Sequence, residues 1–238
     1  MKAPSAILAA LATVALMTAA LVGCQADQTD EQVDEQVDGR AADAADAIAS
    51  GVGVVASGCR GTTEEYGSGV SIDRPGHVVT TAHSIAGATS IMVVDSSGTE
   101  LPATVVAFDK DADLALLDVP GLTAPPLAVS AAGLGEAQAV VWSPDGGVRS
   151  VSVEVTKRLA ITIEDIYVED EVQRTGLELS GDISVGDSGG AVVNSAGEVI
   201  GIVYARSRSR PQTAFATDDQ ELTDLLRDRP SDRTDRCQ

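Results

Sequence analysis

Short apolar runs, most of them rich in valine and isoleucine, alternate along this chain with turns that contain glycine, proline, aspartate or asparagine. β-branched residues favour extended strands, and these turn residues favour reversals of the chain. In the first half the runs cover residues 52–56, 67–72, 77–82, 91–94, 103–108 and 114–119. In the second half they cover residues 138–142, 148–155, 159–163, 176–179, 191–194 and 199–205. Six strands in each half, with turns about every eight to twelve residues, predict an all-β protein with a closed or nearly closed barrel in each half.

The composition limits both the core and the partners. Hydrophobic residues make up 44% of the 238 residues and aromatic residues only 3%, so the core must consist mainly of valine, alanine, isoleucine and leucine. The formal net charge is -20. A strongly acidic protein is repelled by phosphate backbones, so nucleic acid is excluded as an expected partner.

The first 23 residues have the features of an export signal. Lys2 supplies a positive start, residues 7–22 are mostly apolar, and the run is too short and too rich in threonine for a membrane span. Leu21-Val22-Gly23-Cys24 resembles the bacterial lipobox, which implies cleavage before Cys24 and a lipid on its thiol. The alternative is an ordinary secretory signal that contains a cysteine. With a lipid, we expect the protein on the outer face of the cell membrane.

The segment 24–50 is acidic and poor in large apolar residues, so we expect a flexible tether rather than part of the fold. Its alanine-rich part, 40–49, is alternatively a transient helix. Besides Cys24 the chain has two cysteines, Cys59 and Cys237. An even pair in an exported chain predicts one disulfide, with two free thiols as the alternative.

The expected folded domain covers residues 51–238. We place barrel one at about 51–119 and barrel two at about 131–216, joined by a connection with three prolines in residues 120–130. A short helix is predicted at about 218–228, with Thr217 as its N-cap and leucines at i, i+3 and i+4. Pro230 would end it.

Gly186-Asp187-Ser188-Gly189-Gly190 is the stretch that indicates chemistry. Glycine allows a tight turn that exposes a serine hydroxyl, and such a turn can point successive N–H groups at one anion. Ser188 is therefore the candidate nucleophile, with the N–H groups of Gly186 and Ser188 as the oxyanion hole. A glycine-rich hairpin turn without function is the alternative.

A serine nucleophile needs a base and a group that orients the base. His83, at the end of Thr80-Thr81-Ala82-His83, is the candidate base, because His77 at the start of that strand is expected on the surface. Asp113 is the candidate orienting carboxylate, and Asp109 and Asp111 are its rivals.

The order His83, Asp113, Ser188 and the residues around each one resemble the trypsin-like serine proteases. In particular, Asp113 directly precedes an apolar run, as in the family's Asp-x-Ala-Leu pattern. The resemblance covers about residues 51–228 and implies two six-stranded antiparallel barrels with the site in the cleft between them. The chain is more similar to the HtrA-like bacterial branch of the family than to trypsin itself, although we expect no PDZ-like module after this domain.

The resemblance also implies substrate-binding residues. Gly201-Ile202-Val203 matches the strand that pairs with an extended substrate, and Tyr204 and Ala205 would line the primary specificity pocket. Asp182 lies six residues before Ser188, where trypsin has the acidic base of its pocket, which implies a preference for arginine or lysine. In trypsins the residue matching Asp187 pairs with a new N-terminal amine, an activation that we do not expect behind a lipidated tether.

The sequence therefore predicts a serine endopeptidase that is anchored outside the cell membrane, acts on protein or peptide substrates, and needs no metal or cofactor. One alternative is a catalytically silent binding module on the same fold. Another is a hydrolase that uses the same three residues on esters other than peptides.

Overall fold

This computed structural model describes residues 45–58 and 64–232, which contain a helical segment at 45–50, two antiparallel β-sheets and a C-terminal helix. The predicted export signal, most of the tether, the lipidation site at Cys24, and both members of the Cys59–Cys237 pair lie outside the described residues.

The first sheet has the order β5-β4-β1-β2-β3-β7-β6. Its strands are β1 (Gly51–Ser57), β2 (Glu64–Ser71), β3 (His77–Thr80), β4 (Ser90–Val94), β5 (Glu100–Pro102), β6 (Thr104–Asp109) and β7 (Leu114–Asp118). The first sheet has seven strands where six were predicted. The strand that was not predicted is β5, which contains a single leucine and therefore gives no apolar run. It lies at the sheet edge, where Pro102, which lacks an N–H, is tolerated.

The second sheet is a closed barrel of six strands in the order β10-β13-β12-β11-β8-β9. Its strands are β8 (Gly135–Ser143), β9 (Gly147–Glu164), β10 (Glu171–Gly181), β11 (Ala191–Val193), β12 (Val199–Arg206) and β13 (Thr213–Asp218). The two strands predicted at 148–155 and 159–163 are one 18-residue strand, β9, because Thr156-Lys157-Arg158 contains no turn residue. This long strand pairs with β8 and then with β10.

The connection between the sheets is held by both of them. Leu127 donates its N–H to Ser71 O at 3.0 Å, and Val199 donates its N–H to Ala128 O at 2.8 Å. The two sheets also share a core, in which Val70 and Val79 of the first sheet pack with Val193 and Ile202 of the second. Separate clusters of mostly small apolar residues fill the interior of each sheet. These contacts fix the two halves against each other.

The folded domain begins before the predicted start at Gly51. Residues 45–50 are helical, Ala47 packs into the shared core, and Ser50 is fully buried. The Ser50 hydroxyl donates to Asp46 O at 3.0 Å. The end of the predicted tether is therefore part of the fold.

The C-terminal helix spans Asp219–Asp228 and its buried Leu222 and Leu225 pack into the shared core. The predicted N-cap at Thr217 is wrong, because Thr217 is buried in β13. The cap is Asp218, whose carboxylate accepts the N–H groups of Gln220 and Glu221. The all-β class with a short C-terminal helix is confirmed.

Candidate active site

The glycine-rich stretch forms a turn between β10 and β11. Gly186 and Gly189 have φ values of 94° and 89°, a left-handed conformation that glycine adopts without strain. A Cβ at Gly189 would also overlap the carbonyl oxygen of Ser68, so this position requires glycine for space as well as for conformation. The turn therefore brings Ser188 close to the backbone of the first sheet.

Hydrogen bonds to both sheets hold this turn. The buried Asp187 carboxylate accepts Arg149 Nη2 at 2.7 Å and the Ser184 N–H at 2.8 Å. Gly189 donates its N–H to Val203 O at 2.8 Å, and Ser188 O accepts the N–H of Ser68 at 2.7 Å. The turn is thus fixed to its own barrel and to β2 of the other sheet.

His83 and Asp113 lie side by side because β3 and β7 are antiparallel neighbours. Thr80, at the end of β3, pairs with Ala115 near the start of β7, so the residues just outside these two strand ends share one edge. Asp113 Oδ2 lies 2.8 Å from His83 Nδ1, and Oδ1 accepts the His83 backbone N–H at 2.9 Å. Asp113 has a φ of 58°, a strained conformation of the kind that concentrates at functional sites.

The surroundings of His83 set its basicity. Burial by itself lowers the pKa of His83, but the charge and hydrogen bond of Asp113 and the more distant charge of Glu65 outweigh it, and the pKa lies above its ordinary value. Since a carboxylate can only accept, the Nδ1 atom beside Asp113 carries a proton in the neutral ring. The lone pair is then on Nε2, which is the nitrogen that can act as a base.

Ser188 is partly exposed, and its hydroxyl donates to Tyr204 O at 3.3 Å. A Cβ at Gly67 would be 3.2 Å from both Ser188 O and the hydroxyl of Ser84, the residue after His83, so both chain segments pack against Gly67. Within the described chain, however, no hydrogen bond joins Ser188 to the His83 ring. The structure thus joins His83 to Asp113 and leaves Ser188 on a different partner.

The predicted oxyanion hole has two donors without acceptors. The N–H groups of Asp187, Gly189 and Gly190 all bond to carbonyl oxygens. In the described ranges no acceptor is found for the N–H groups of Gly186 and Ser188. Two free donors beside a serine hydroxyl can bind the oxygen of a carbonyl that the serine attacks.

The residues predicted to pair with a substrate already have partners within the chain. Gly201 and Ile202 pair with β11 on one side and β13 on the other. Val203 bonds through its N–H to Gly190 O and through its carbonyl to the Gly189 N–H, each at 2.8 Å. The prediction that these three residues pair with a substrate is corrected, because their main-chain groups already have partners.

In the described ranges, the edge of β12 next to Ser188 has no main-chain partner from Tyr204 onward. Tyr204 lies at a bulge in the pairing with β13, and Tyr204 and Ala205 are both partly exposed. Asp182, the residue after β10, is exposed. The structure therefore puts Tyr204 and Ala205 beside Ser188 and puts Asp182 on the surface six residues earlier in the chain.

Asp109 and Asp111, the alternatives to Asp113, and His77, the alternative to His83, have other partners. Asp111 pairs with Lys110 Nζ at 2.8 Å, and Asp109 caps its own turn by accepting the N–H groups of Asp111 and Ala112. His77 is buried, not on the surface as predicted, and its ring lies between Asp73 and Arg74. Burial, followed by the charge of Arg74, lowers the pKa of His77.

Two arginines near the site were missed by the sequence analysis. Arg149 pairs with Asp187, and Arg174 of β10 lies over the ring of Tyr204 with its Cζ 4.7 Å from the centroid. Arg149 lies in β9 and Arg174 in β10, and neither belongs to one of the sequence motifs. In the described residues, no cluster of three or more His, Cys, Asp or Glu could hold a metal ion, and no helix has the length and apolarity to cross a bilayer.

Known proteins resemble this chain over most of the described residues. Serine protease Rv3671c of Mycobacterium tuberculosis is 31% identical over 172 residues, which are 71% of this chain and 42% of that protein. A probable periplasmic serine endoprotease, DegP-like, of Halomonas elongata is 32% identical over 169 residues, which are 67% of this chain and 34% of that protein. The chain thus spans less than half the length of these relatives.

A solved structure and a family profile also match this chain. The crystal structure of the active form of the Rv3671c protease from M. tuberculosis matches with a TM-score of 0.73 and 26% identity, covering 80% of this chain and 86% of that one. The sequence profile of the trypsin-like peptidase domain matches residues 67–202, which is more than half of the chain. The protein therefore belongs to the trypsin-like peptidase domain family.

Proposed function

We propose that this protein is a serine endopeptidase that hydrolyses peptide bonds through an acyl-enzyme at Ser188. The observation that carries the proposal is the contact of 2.8 Å between His83 Nδ1 and the buried Asp113 carboxylate, at the edge of the first sheet that faces the Ser188 turn. The relatives whose names identify them as serine proteases support it.

In the proposed reaction, the Ser188 oxygen attacks the carbonyl carbon of the substrate while its proton passes to His83 Nε2. The carbonyl oxygen becomes an oxyanion that binds the free N–H groups of Gly186 and Ser188. The imidazolium then protonates the amine, the C–N bond breaks, and an ester to Ser188 remains. Water, deprotonated by His83, hydrolyses this ester and releases the acid.

One rearrangement has to precede the attack. The Ser188 hydroxyl donates to Tyr204 O at 3.3 Å, so a rotation about its Cα–Cβ bond must bring it to His83. Catalytic hydrogen bonds often form only when the substrate is bound. The substrate itself would pair antiparallel with the free edge of β12 from Tyr204 to Arg206.

The decisive experiment compares the wild type with Ser188→Ala, using a fluorophosphonate probe and a library of internally quenched peptides. We expect the wild type to be labelled once, at Ser188, and to cleave peptides, and the variant to do neither. A binding module of the same fold is the second candidate, favoured by the direction of the Ser188 hydroxyl towards Tyr204. Absent labelling in a folded wild type would favour this module, and labelling with cleavage of simple esters only would favour an esterase.

The proposal includes a basic preference at the residue before the cleaved bond, recognised by Asp182. The matched test compares arginine and alanine at this position in otherwise identical peptides, with the wild type and Asp182→Asn. A preference for arginine that Asp182→Asn removes would support this role. The same ratio in both proteins would show that the exposed Asp182 carboxylate does not form the base of the pocket.

We also propose that the protein is lipid-anchored at Cys24 and works outside the cell membrane, with Cys59 and Cys237 in one disulfide. The signal and the cysteine pattern of the sequence support this. Labelling of cells with an alkynyl fatty acid should tag the wild type and not Cys24→Ala. Intact mass should rise by two protons on reduction, and an unchanged mass would exclude the disulfide.

A further inference from the structure

Arg174 is a buried charged side chain for which the described part of the chain provides no charged partner. It lies on β10 and is only 7% exposed. Its Nε atom is buried without a hydrogen-bond partner, and Nη1 makes only a long contact of 3.4 Å with Asp111 O. No ion pair among the described residues includes Arg174.

The carboxylates of Asp111 and Asp113, which lie near Arg174, bind other side chains. The Asp111 carboxylate turns to Lys110 Nζ at 2.8 Å, so that only its main-chain carbonyl reaches the guanidinium. The Asp113 carboxylate is occupied by His83. The chain has 36 acidic residues against 16 basic ones, so an arginine without a carboxylate is an unexpected arrangement. A guanidinium does not lose its proton, and burial of an unpaired charge is costly.

The position of Arg174 relates it to the substrate cleft. Its guanidinium lies over the ring of Tyr204, whose carbonyl oxygen accepts the Ser188 hydroxyl. It is also near enough to His83 for its charge to oppose protonation of the imidazole. Arg174 thus lies where the two sheets meet, between the Asp111 main chain of the first sheet and the Tyr204 ring on β12 of the second.

The direction of the substrate follows from the strand. β12 runs from Val199 to Arg206, and Ser188 lies at Tyr204, where the free edge begins. A peptide that pairs antiparallel with this edge enters over Arg206 and reaches Ser188 at the bond to be cleaved. The residues that pass over Tyr204 and Arg174 are therefore those on the N-terminal side of that bond.

We propose that Arg174 is a specificity-determining residue that binds an acidic side chain of the substrate on the N-terminal side of the cleaved bond. This inference rests on the proposed peptidase function. A carboxylate of the substrate supplies the counter-charge that Arg174 lacks among the described residues, and a guanidinium can bind it through two parallel N–H groups. The ring of Tyr204 packs against one face of the guanidinium, and the carboxylate would bind at its N–H edge.

The test uses pairs of fluorogenic peptides that differ only by aspartate against asparagine, at the second, third or fourth residue before the cleaved bond. For the wild type we expect kcat/KM at least about tenfold higher for the aspartate peptide at one of these positions, as for a charge-assisted hydrogen bond. Arg174→Gln should reduce this ratio to about one while the asparagine peptide is still cleaved. Arg174→Lys keeps the charge without the planar fork and should give an intermediate ratio.

The matched control is Arg210→Gln. Arg210 also lies over an aromatic ring, with its Cζ 5.6 Å from the centroid of Phe215, but it is half exposed and pairs with Glu178 at 2.9 Å. Its substitution should leave the aspartate-to-asparagine ratio unchanged. Thermal unfolding and fluorophosphonate labelling show whether each variant is folded with a reactive Ser188.

Three results would overturn the assignment: a ratio near one in the wild type, a ratio that Arg174→Gln does not change, or an acidic preference only after the cleaved bond. The first needs no variant, so the test remains decisive even if Arg174→Gln does not fold. If the wild type cleaves no peptide and is not labelled, the proposed function itself fails. If it cleaves peptides without an acidic preference, only the role of Arg174 fails.

Discussion

The ion pair between Arg149 and Asp187 makes a quantitative prediction about the Ser188 turn. The Asp187 side chain is 2% exposed and that of Arg149 is 37% exposed, with 2.7 Å between Nη2 and Oδ1. Arg149→Met leaves the carboxylate buried with the Ser184 N–H at 2.8 Å as its remaining donor. Loss of one partner costs about 3–5 kcal/mol for a fully buried pair and about 0–1 kcal/mol for an exposed one.

With one partner buried and the other about a third exposed, we expect a cost of about 2–3 kcal/mol. The turn can avoid this cost by moving Asp187 into water, and Ser188, the next residue, then leaves its position. The fraction of molecules in which the turn holds Ser188 in position for attack should therefore fall. The rate constant for fluorophosphonate labelling should fall with it, by about 30- to 150-fold. In trypsins an N-terminal amine has the role that we assign here to Arg149.

The assay compares labelling rates and thermal unfolding of four proteins. Arg210→Met, which removes an exposed pair with Glu178, should label at the wild-type rate. The double variant Arg149→Met with Asp187→Asn removes the unpaired charge and keeps an oxygen for the Ser184 N–H, so it should recover most of the rate. Labelling of folded Arg149→Met at the wild-type rate would refute the reasoning, and so would a double variant slower than Arg149→Met.

Three further predictions concern the base, the turn and the hairpin of β9 and β10. Because His83 must be neutral to accept a proton and its pKa is raised, kcat/KM should fall as the pH drops through a value above 6.5; a pH profile flat down to pH 6 would contradict this. Gly189→Ala puts a methyl group onto Ser68 O at a φ of 89°, so we expect at least about 2 kcal/mol of destabilisation in urea unfolding, whereas the same change at the open Gly133 should have little effect. Lys110→Met leaves the buried Asp165 carboxylate without its partner at 2.7 Å and should cost about 2–4 kcal/mol of unfolding free energy; a change below about 0.5 kcal/mol would show that the pair does not hold the hairpin.

Local sequence patterns predicted the strands and the two halves of the fold well. Apolar runs and turn residues are local signals, and each run at 52–56, 77–82 and 199–205 coincides with an observed strand. The missed strand β5 has one apolar residue, and β9 continues through Thr156-Lys157-Arg158 because no turn residue interrupts it. Alternation of apolar and polar residues with a period of two does not show where a strand ends when no turn residue follows it.

The pairing of His83 with Asp113 was predictable, whereas their neighbours were not. Each of these two residues lies just outside a strand in its own motif, and antiparallel pairing of β3 with β7 is sufficient to bring them together. Arg149 and Arg174 belong to no motif, because their importance depends on whether the folded chain places a carboxylate beside each guanidinium. Burial of His77 was missed because a histidine at a strand end gives no sign of which elements cover it.

The position of Ser188 relative to the first sheet depends on Ser68, a residue with no catalytic signature. Ser68 is fully buried in β2, and its N–H donates to Ser188 O at 2.7 Å. Its hydroxyl accepts the N–H of Trp142 at 2.8 Å and lies 3.3 Å from Gly186 O. One residue of the first sheet thus binds both ends of the Gly186–Ser188 turn and the last part of β8. Since each of these contacts joins residues more than 70 positions apart in sequence, the motif around Ser188 could not predict them, although they fix the Ser188 turn to the first sheet.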